Sequence, residues 1–292
     1  MSMTTQALSR ETWRESLRSL RVATWLGWQI ESNWTDPFLF AVYSLIKPIA
    51  GAMILVVMYL VVSGGQTNNP IFPYIYLGNA FYIYVGSVLM GISYAVIDDR
   101  EHYGILKYIY VSPIQVYFYL LGRGVARTLT GTIAVIITLA FGVFVFKLPV
   151  NLVAMDHALF WPVFLIGLAG LALIGILLAG VTLITARHNY FMGEAVAGAL
   201  YLLCGAVFPL DVLPKVLQYI GLGLPMTYWL EGLRRAMLGT SASPLLAPFS
   251  NETILMILIS STLFVGAISL GFYRWCERRA KEKGLIDMQT MY

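Results

Sequence analysis

Hydrophobic residues in this chain gather into long uncharged blocks, and the charges fall in short clusters between them. The blocks run from Phe38 to Val62, Tyr74 to Ile97, Thr128 to Phe146, Phe160 to Ile184, Ala195 to Leu210 and Ile254 to Tyr273. The third has a longer cytosolic foot from Val116, and the fifth is short. A bilayer core about 30 Å thick takes roughly 20 helical residues to cross. Barrel strands are about half that length and alternate in polarity. The pattern therefore predicts an all-α membrane protein with six transmembrane helices. Ahead of them, Arg10 to Asn33 reads as one amphipathic helix. Trp13, Leu17, Leu20 and Trp28 recur at three- and four-residue steps, with Arg14, Arg18 and Arg21 on another face. That pattern suits an interfacial helix in the headgroup region, or else the surface helix of a soluble domain.

Two segments depart from the block pattern. Residues 98–113, DDREHYGILKYIYVSP, are dense in charge and follow the second span. Residues 209–250 are too apolar for a free loop. There Leu213, Val216, Leu217 and Ile220 form a stripe opposite Asp211, Lys215 and Gln218, with Pro209, Pro214 and Pro225 as interruptions. Short re-entrant outer helices between the fifth and sixth spans are expected, since irregular backbone at membrane depth is tolerated only under protein or beside a watery cavity. The chain then divides into residues 1–37 (N-terminus and interfacial helix), 38–273 (six-helix domain) and 274–292 (basic tail).

Composition agrees, with 59% hydrophobic and 12% charged residues, against roughly 25% charged in soluble domains. The nineteen Lys and Arg set the orientation. With both termini in the cytosol, only Lys147, Lys215, Arg234 and Arg235 fall outside and Lys47 falls within a span. The positive-inside rule favours that arrangement, in the plasma (inner) membrane. The polar first residues do not read as a signal peptide. Lys47 lies beside Pro48 at a depth of about 14 Å, where it snorkels towards the cytosol or meets cargo. Arg123 and Arg127 sit four apart near the foot of the third span, with Glu194 as a possible partner. Cys204 and Cys276 lie far apart in different settings, so no disulfide is expected. His102, His157 and His188 lack second ligands at metal spacing, so neither a metal nor a nucleic-acid partner is expected.

Energy must come from elsewhere. A phosphate-cradling loop needs Gly immediately before its Lys, and none of Lys47, Lys107, Lys147, Lys215, Lys281 or Lys283 follows a glycine. Ser63-Gly64-Gly65-Gln66 imitates the ABC ATPase signature, but it ends the first span on the outside and reads as a Gly-rich turn.

The segment DDREHYGILKYIYVSP resembles the cytosolic loop of type-2 ABC permeases: a charged cluster, a Gly, an amphipathic turn and Ser-Pro. The segment Gly205 to Gly239 resembles the family more closely, through Phe208-Pro209, Pro214, Pro225, Tyr228 and Glu231 to Arg234. His102-Tyr103 before Gly104, and Lys107 in place of an acid, depart from the pattern. The resemblance implies the permease subunit of a type-2 ABC exporter of the drug- and antibiotic-resistance kind. Such a permease pairs with a second permease copy or a paralogue, and each copy docks one ABC ATPase subunit that carries the ATP and Mg. No cofactor and no catalytic residue are then expected on this chain.

The resemblance also implies roles. Asp98, Asp99, Arg100, Glu101, Gly104, Lys107, Tyr108, Ser112 and Pro113 would form the coupling segment. Asp99, Arg100 and Glu101 would pair with the ATPase or with Arg14 to Arg21, unless they only cap helices in water. Phe208, Pro209, Leu210, Pro214 and Pro225 would form the outer gate. Phe81, Tyr82, Tyr84 and Tyr201 would line the pathway or pack the core. Glu231, Arg234 and Arg235 would pair along one helix or touch substrate. Gly193 and Ala197 would let the fifth span approach a neighbour closely.

The cargo is expected to be a lipophilic small molecule or a lipid-linked one, with a cell-surface polysaccharide as the alternative. An ion-coupled secondary transporter needs carboxylates or histidines mid-membrane, and the six spans hold none; Glu194 is at an edge. A membrane enzyme would have to draw on Asp98, Asp99, Glu101 and His102, which are grouped only by proximity.

Overall fold

The structure, a computed structural model, describes residues 3–33, 37–65, 69, 71–150, 154–185, 190–241 and 243–288. Among these there is no strand. The helices are α1 (Met3–Asn33), α2 (Pro37–Val62), α3 (Ile71–Tyr84), α4 (Met90–Ile97), α5 (Leu106–Val111), α6 (Val116–Phe146), α7 (His157–Ile184), α8 (Tyr190–Leu203), α9 (Lys215–Leu222), α10 (Pro225–Leu238) and α11 (Asn251–Glu282). π-helical turns at Val85–Leu89 and Asp98–His102 join α3 to α4 and extend α4 towards the loop. Four helical stretches are long and apolar enough to cross a membrane: Ile71–His102, Val116–Phe146, His157–Ile184 and Asn251–Glu282. The apolar parts of α2 and α8, Ile46–Val62 and Phe191–Leu203, are shorter.

Small residues set the packing. Asp156 caps α7 by accepting from the Leu159 amide at 3.1 Å, which satisfies one of the donors a helix start leaves open. Along α7, Gly167 makes room for the Trp229 indole, Gly170 faces Thr262, and Gly180 lies on Tyr273 and Cys276. A Cβ at Gly167 would overlap the indole ring. α11 therefore runs parallel to α7 in close contact, and Ser269 donates across to the Leu173 carbonyl at 2.6 Å. Without a hydrophobic driving force inside lipid, such close approach is what holds helices together.

α1 lies alongside α6 rather than apart from the bundle. Gly122 meets Leu20, Ala23 and Thr24, and Gly27 meets Ala126. Ser16 donates to Gln115 at 2.8 Å, and Arg127 pairs with Glu31 at 2.7 Å. The buried stripe of α1 is Ser16, Ser19, Ala23 and Gly27, not the Trp/Leu face that periodicity picks out. Trp13 and Trp25 remain 61% and 62% exposed. The physical reason is the close helix–helix approach, which selects small side chains and leaves bulky ones for the lipid side.

Two helix ends and one helix face differ from the sequence expectation. α8 stops at Leu203, short of Leu210, because the chain turns at Gly205 with φ +70°. The last long helix continues to Glu282, so the basic residues after Tyr273 are helical. In α9 the apolar stripe faces outward: Val216 and Ile220 are exposed, while Gln218 donates inward to the Asp211 and Leu213 carbonyls.

The 98–113 segment, the start of α6, the end of α7, the end of α11 and α1 meet at one end of the bundle. The 204–250 segment closes the opposite end.

Candidate functional site

At the first end, the charged segment is built on buried anchors. Asp99 is fully buried. It accepts from the Tyr119 hydroxyl at 2.7 Å and from Arg123 at 3.2 Å. Arg123 also donates to the Tyr119 oxygen at 3.3 Å. Tyr119 and Arg123 share a face of α6 because they are four residues apart, and that face covers Asp99. Arg100 turns the other way. It pairs with Glu101 at 2.9 Å and donates to the Thr182 carbonyl at 3.1 Å. That carbonyl belongs to the last turn of α7, where acceptors lack intrahelical partners and a cation is favoured. The segment is thus pinned to α6 and α7 by two buried, oppositely directed side chains. Gly104, at φ +62°, allows the reversal into α5.

α5 buries Leu106 and Ile109 and turns Lys107, Tyr108 and Val111 outward. Tyr108 and Val111 are 66% and 87% exposed. Tyr103 and Pro113 are exposed beside them, and Ser112 is half-buried, its hydroxyl donating to the Ile109 carbonyl at 2.8 Å. Lys107 pairs with Asp287 at 3.0 Å, and that carboxylate raises its pKa. Tyr110 meets the Tyr273 hydroxyl at 3.1 Å, and burial pushes its own pKa up, so it stays a neutral phenol.

The opposite end is organised by α10, which is buried from Pro225 to Met237 although it carries three charged side chains. Arg234 is 1% exposed. It stacks 3.6 Å from the Tyr74 ring centroid. It donates to three carbonyls: Tyr74 at 3.0 Å, Gly205 at 2.8 Å and Ala206 at 2.9 Å. Those carbonyls belong to α3 and to the corner after α8. Gly78 is required beside it, since a Cβ there would overlap the guanidinium and the Ala206 oxygen. Arg235 pairs with Glu231 at 2.9 Å and donates to the Leu246 and Phe249 carbonyls at 2.6 Å each. Asp211 ties the same region by accepting from Ser243 and the Leu245 amide, both at 2.8 Å.

Of the residues expected at an outer gate, Leu210 is buried, Phe208 and Pro209 are half-buried, Pro214 is exposed and Pro225 opens α10.

A family model for the ABC-2 type transporter matches residues 18–238. This chain belongs to that family. No curated protein matches it. Membership and the long apolar helices make it a multi-pass membrane protein, the permease component of an ABC transporter. Such components are typically non-catalytic and associate with an ABC ATPase. The matched stretch starts within α1 and ends at the last residue of α10, so α11 and the tail lie beyond it.

Within the ABC-2 domain the aromatic residues divide. Phe81 and Tyr84 are core. Phe81 packs on Phe160, and Tyr84 packs on Phe164 and Trp229 while hydrogen-bonding to Thr132 at 2.9 Å. Tyr82 and Tyr201 are half-buried and meet edge-to-face with centroids 4.7 Å apart. Tyr82 donates to the Ala197 carbonyl and Tyr201 to Asn79, joining α3 to α8. Gly193 lies against Met90 and Tyr94, so the close approach expected at α8 is to α4.

The buried partners of the 98–113 segment correct the expected pairings. Asp99 pairs with Arg123 and Tyr119, and Arg100 with Glu101 and the end of α7, whereas Arg14, Arg18 and Arg21 are exposed. Arg127 pairs with Glu31, and Glu194 is exposed. Within the 231–235 set, only Glu231 and Arg235 pair along the helix; Arg234 turns to backbone carbonyls. Sequence reasoning missed Tyr119, Tyr110, Tyr273 and Tyr74. The four-residue step from Tyr119 to Arg123 was the available signal; the others meet only across the fold.

Proposed function

We propose that this ABC-2 permease crosses the membrane six times, dimerises, and exports a lipophilic small molecule or lipid-linked cargo when a partner ATPase binds ATP. Its termini and the 98–113 segment face the cytosol of a cell whose plasma membrane it occupies. The observation that carries the reading is the split character of that segment. Asp99 and Arg100 lock it into the bundle, while Lys107, Tyr108 and Val111 face outward on the short helix α5, with Tyr103 exposed before it. A rigidly rooted helix with an uncovered outer face suits a lever pushed by a docked protein. α2, at about 39 Å, is long enough for one of the two remaining crossings. α8 reaches only about 21 Å, and the corner held by Arg234 supports a fifth crossing completed by irregular backbone under protein cover.

Excess Lys and Arg at this end supports its cytosolic placement. Outer closure falls to residues 204–238, with Phe208, Pro209, Leu210, Pro214 and Pro225 at the corner. The edge-to-face pair Tyr82 and Tyr201 is the pathway candidate, and Phe81 and Tyr84 serve packing. A cell-surface polysaccharide is the second cargo reading.

The test uses the permease co-expressed with its ATPase and reconstituted in vesicles, with a lipophilic dye and a fluorescent lipid-linked saccharide as probes. With ATP supplied outside, only copies whose ATPase faces outward turn over, so ATP-dependent gain of either probe in the vesicle lumen or inner leaflet supports export. Tyr108→Ala combined with Val111→Glu is expected to leave the permease folded and to abolish ATPase co-purification. Co-purification and hydrolysis at wild-type levels in that variant would overturn the docking assignment.

A further inference from the structure

α11 lies outside the stretch matched to the ABC-2 family, yet its end touches both α5 and the start of α6. Tyr273 is fully buried and meets Tyr110 of α5 at 3.1 Å. Its ring lies 5.0 Å from that of Tyr117, at the start of α6. The Lys281 ammonium sits 5.0 Å from the Tyr110 ring centroid. The helix then ends in a left-handed turn at Gly284, φ +64°, with the Leu285 amide bonded to the Ala280 carbonyl at 2.9 Å. That closure directs Leu285 and Ile286 back onto the cluster that holds Leu106 and Ile109 of α5. Ile286 and Asp287 share one narrow crevice with Arg100, Gly104, Leu106 and Lys107, and Asp287 reaches Lys107 at 3.0 Å.

The other end of α11 is fastened just as directly. Arg235 of α10 donates to the Phe249 carbonyl, immediately before the Ser250 cap of α11, and to Leu246. The neighbouring Arg234 holds α3 and the corner after α8. α11 spans about 48 Å between these two fastenings. It is one uninterrupted helix with no proline, so a displacement at one end is carried to the other.

We propose that the C-terminal segment Ala280–Asp287 positions the coupling helix, and that α11 carries its ATP-driven movement to the outer closure. Ile286 and Tyr273 are the positioning residues. This rests on the exporter reading above. It adds to the lever a route through α11.

The test is hydrogen exchange on the permease–ATPase complex in nanodiscs, with and without ATP and vanadate. In the full chain, nucleotide is expected to change exchange in 98–113, in α11 and in 243–250. In a chain ending at Lys283, the change in 98–113 is retained and the change in α11 and 243–250 falls at least about twofold. Ile286→Ser is expected to behave like the shortened chain and Ile286→Leu like the full one, which a merely stabilising role would not separate at equal melting temperature. An undiminished α11 response in the shortened chain and in Ile286→Ser overturns the proposal while leaving the exporter reading standing. A full-chain complex with no nucleotide response in any segment overturns both.

Discussion

Replacing Arg234 by methionine keeps the length of the side chain and removes its charge. The variant loses three charge-assisted hydrogen bonds, to the carbonyls of Tyr74, Gly205 and Ala206, and a cation–π contact with Tyr74. Each orphaned buried acceptor costs about 1–3 kcal/mol, and a desolvated cation–π pair adds roughly 2 kcal/mol. Against this, the guanidinium no longer has to be kept out of water, which returns several kcal/mol. The two sides do not cancel. The acceptors sit in an irregular corner and stay buried, so the net loss is about 3 kcal/mol, at the low end for breaking a buried charged network. At about 2–4 °C per kcal/mol, the detergent-solubilised protein melts about 6–12 °C lower. The assay is melting followed by size-exclusion, with Arg278→Met, an exposed arginine of α11, as the control. Arg234→Lys is expected to recover less than half of the loss, since one ammonium on a flexible stem cannot replace a planar fork fixed over a ring. A melting point for Arg234→Met within 2 °C of wild type, by the same scale, would refute the idea that this arginine holds the outer corner.

Other substitutions probe the same framework. Asp99→Ala leaves Arg123 buried without its carboxylate and is expected to cost about 3–5 kcal/mol, read as loss of folded protein in the same melting assay. Tyr119→Phe removes one of the donors to Asp99 and costs about 1–2 kcal/mol; a cost equal to that of Asp99→Ala would contradict the division of work between Tyr119 and Arg123. Gly167→Ala forces a methyl into the Trp229 indole and is expected to destabilise by about 1–3 kcal/mol, whereas Gly51→Ala, with open space around it, leaves the melting point unchanged. Val111→Ser, on the uncovered face of α5, is expected to stay within about 0.5 kcal/mol of wild type, so that any effect on ATPase activity reports docking and not folding.

Much of the architecture was legible because lipid imposes a simple rule. A helix that crosses a bilayer cannot hide its composition, so Thr128–Phe146 within α6, most of His157–Ile184 and the core of Asn251–Glu282 stand out as uncharged blocks. The positions of the charged segment and of the proline-rich segment between α8 and α11 were equally legible, since each interrupts the blocks. Helix ends were not. A single φ > 0 at Gly205 cuts α8 short, and nothing in the local pattern separates that glycine from the many that sit inside helices. Basic residues after Tyr273 look like a free tail, yet α11 continues through them because Tyr273, Cys276 and Ala280 are buried against the bundle.

Charge partners were the least legible feature. The residue pattern puts Asp99, Arg100, Arg123, Arg234 and Arg235 outside the long uncharged blocks, because charges are costly deep in a bilayer. Which of them would be solvated and which locked inside was decided only by tertiary structure. Asp99 and Arg123 are 24 residues apart, Arg234 and Tyr74 160, and hydrogen bonds at such separations exist only once α3, α6, α7 and α10 have packed. The same packing chose small over large residues on α1, because the distance between two helix axes is a property of the pair and not of either sequence alone.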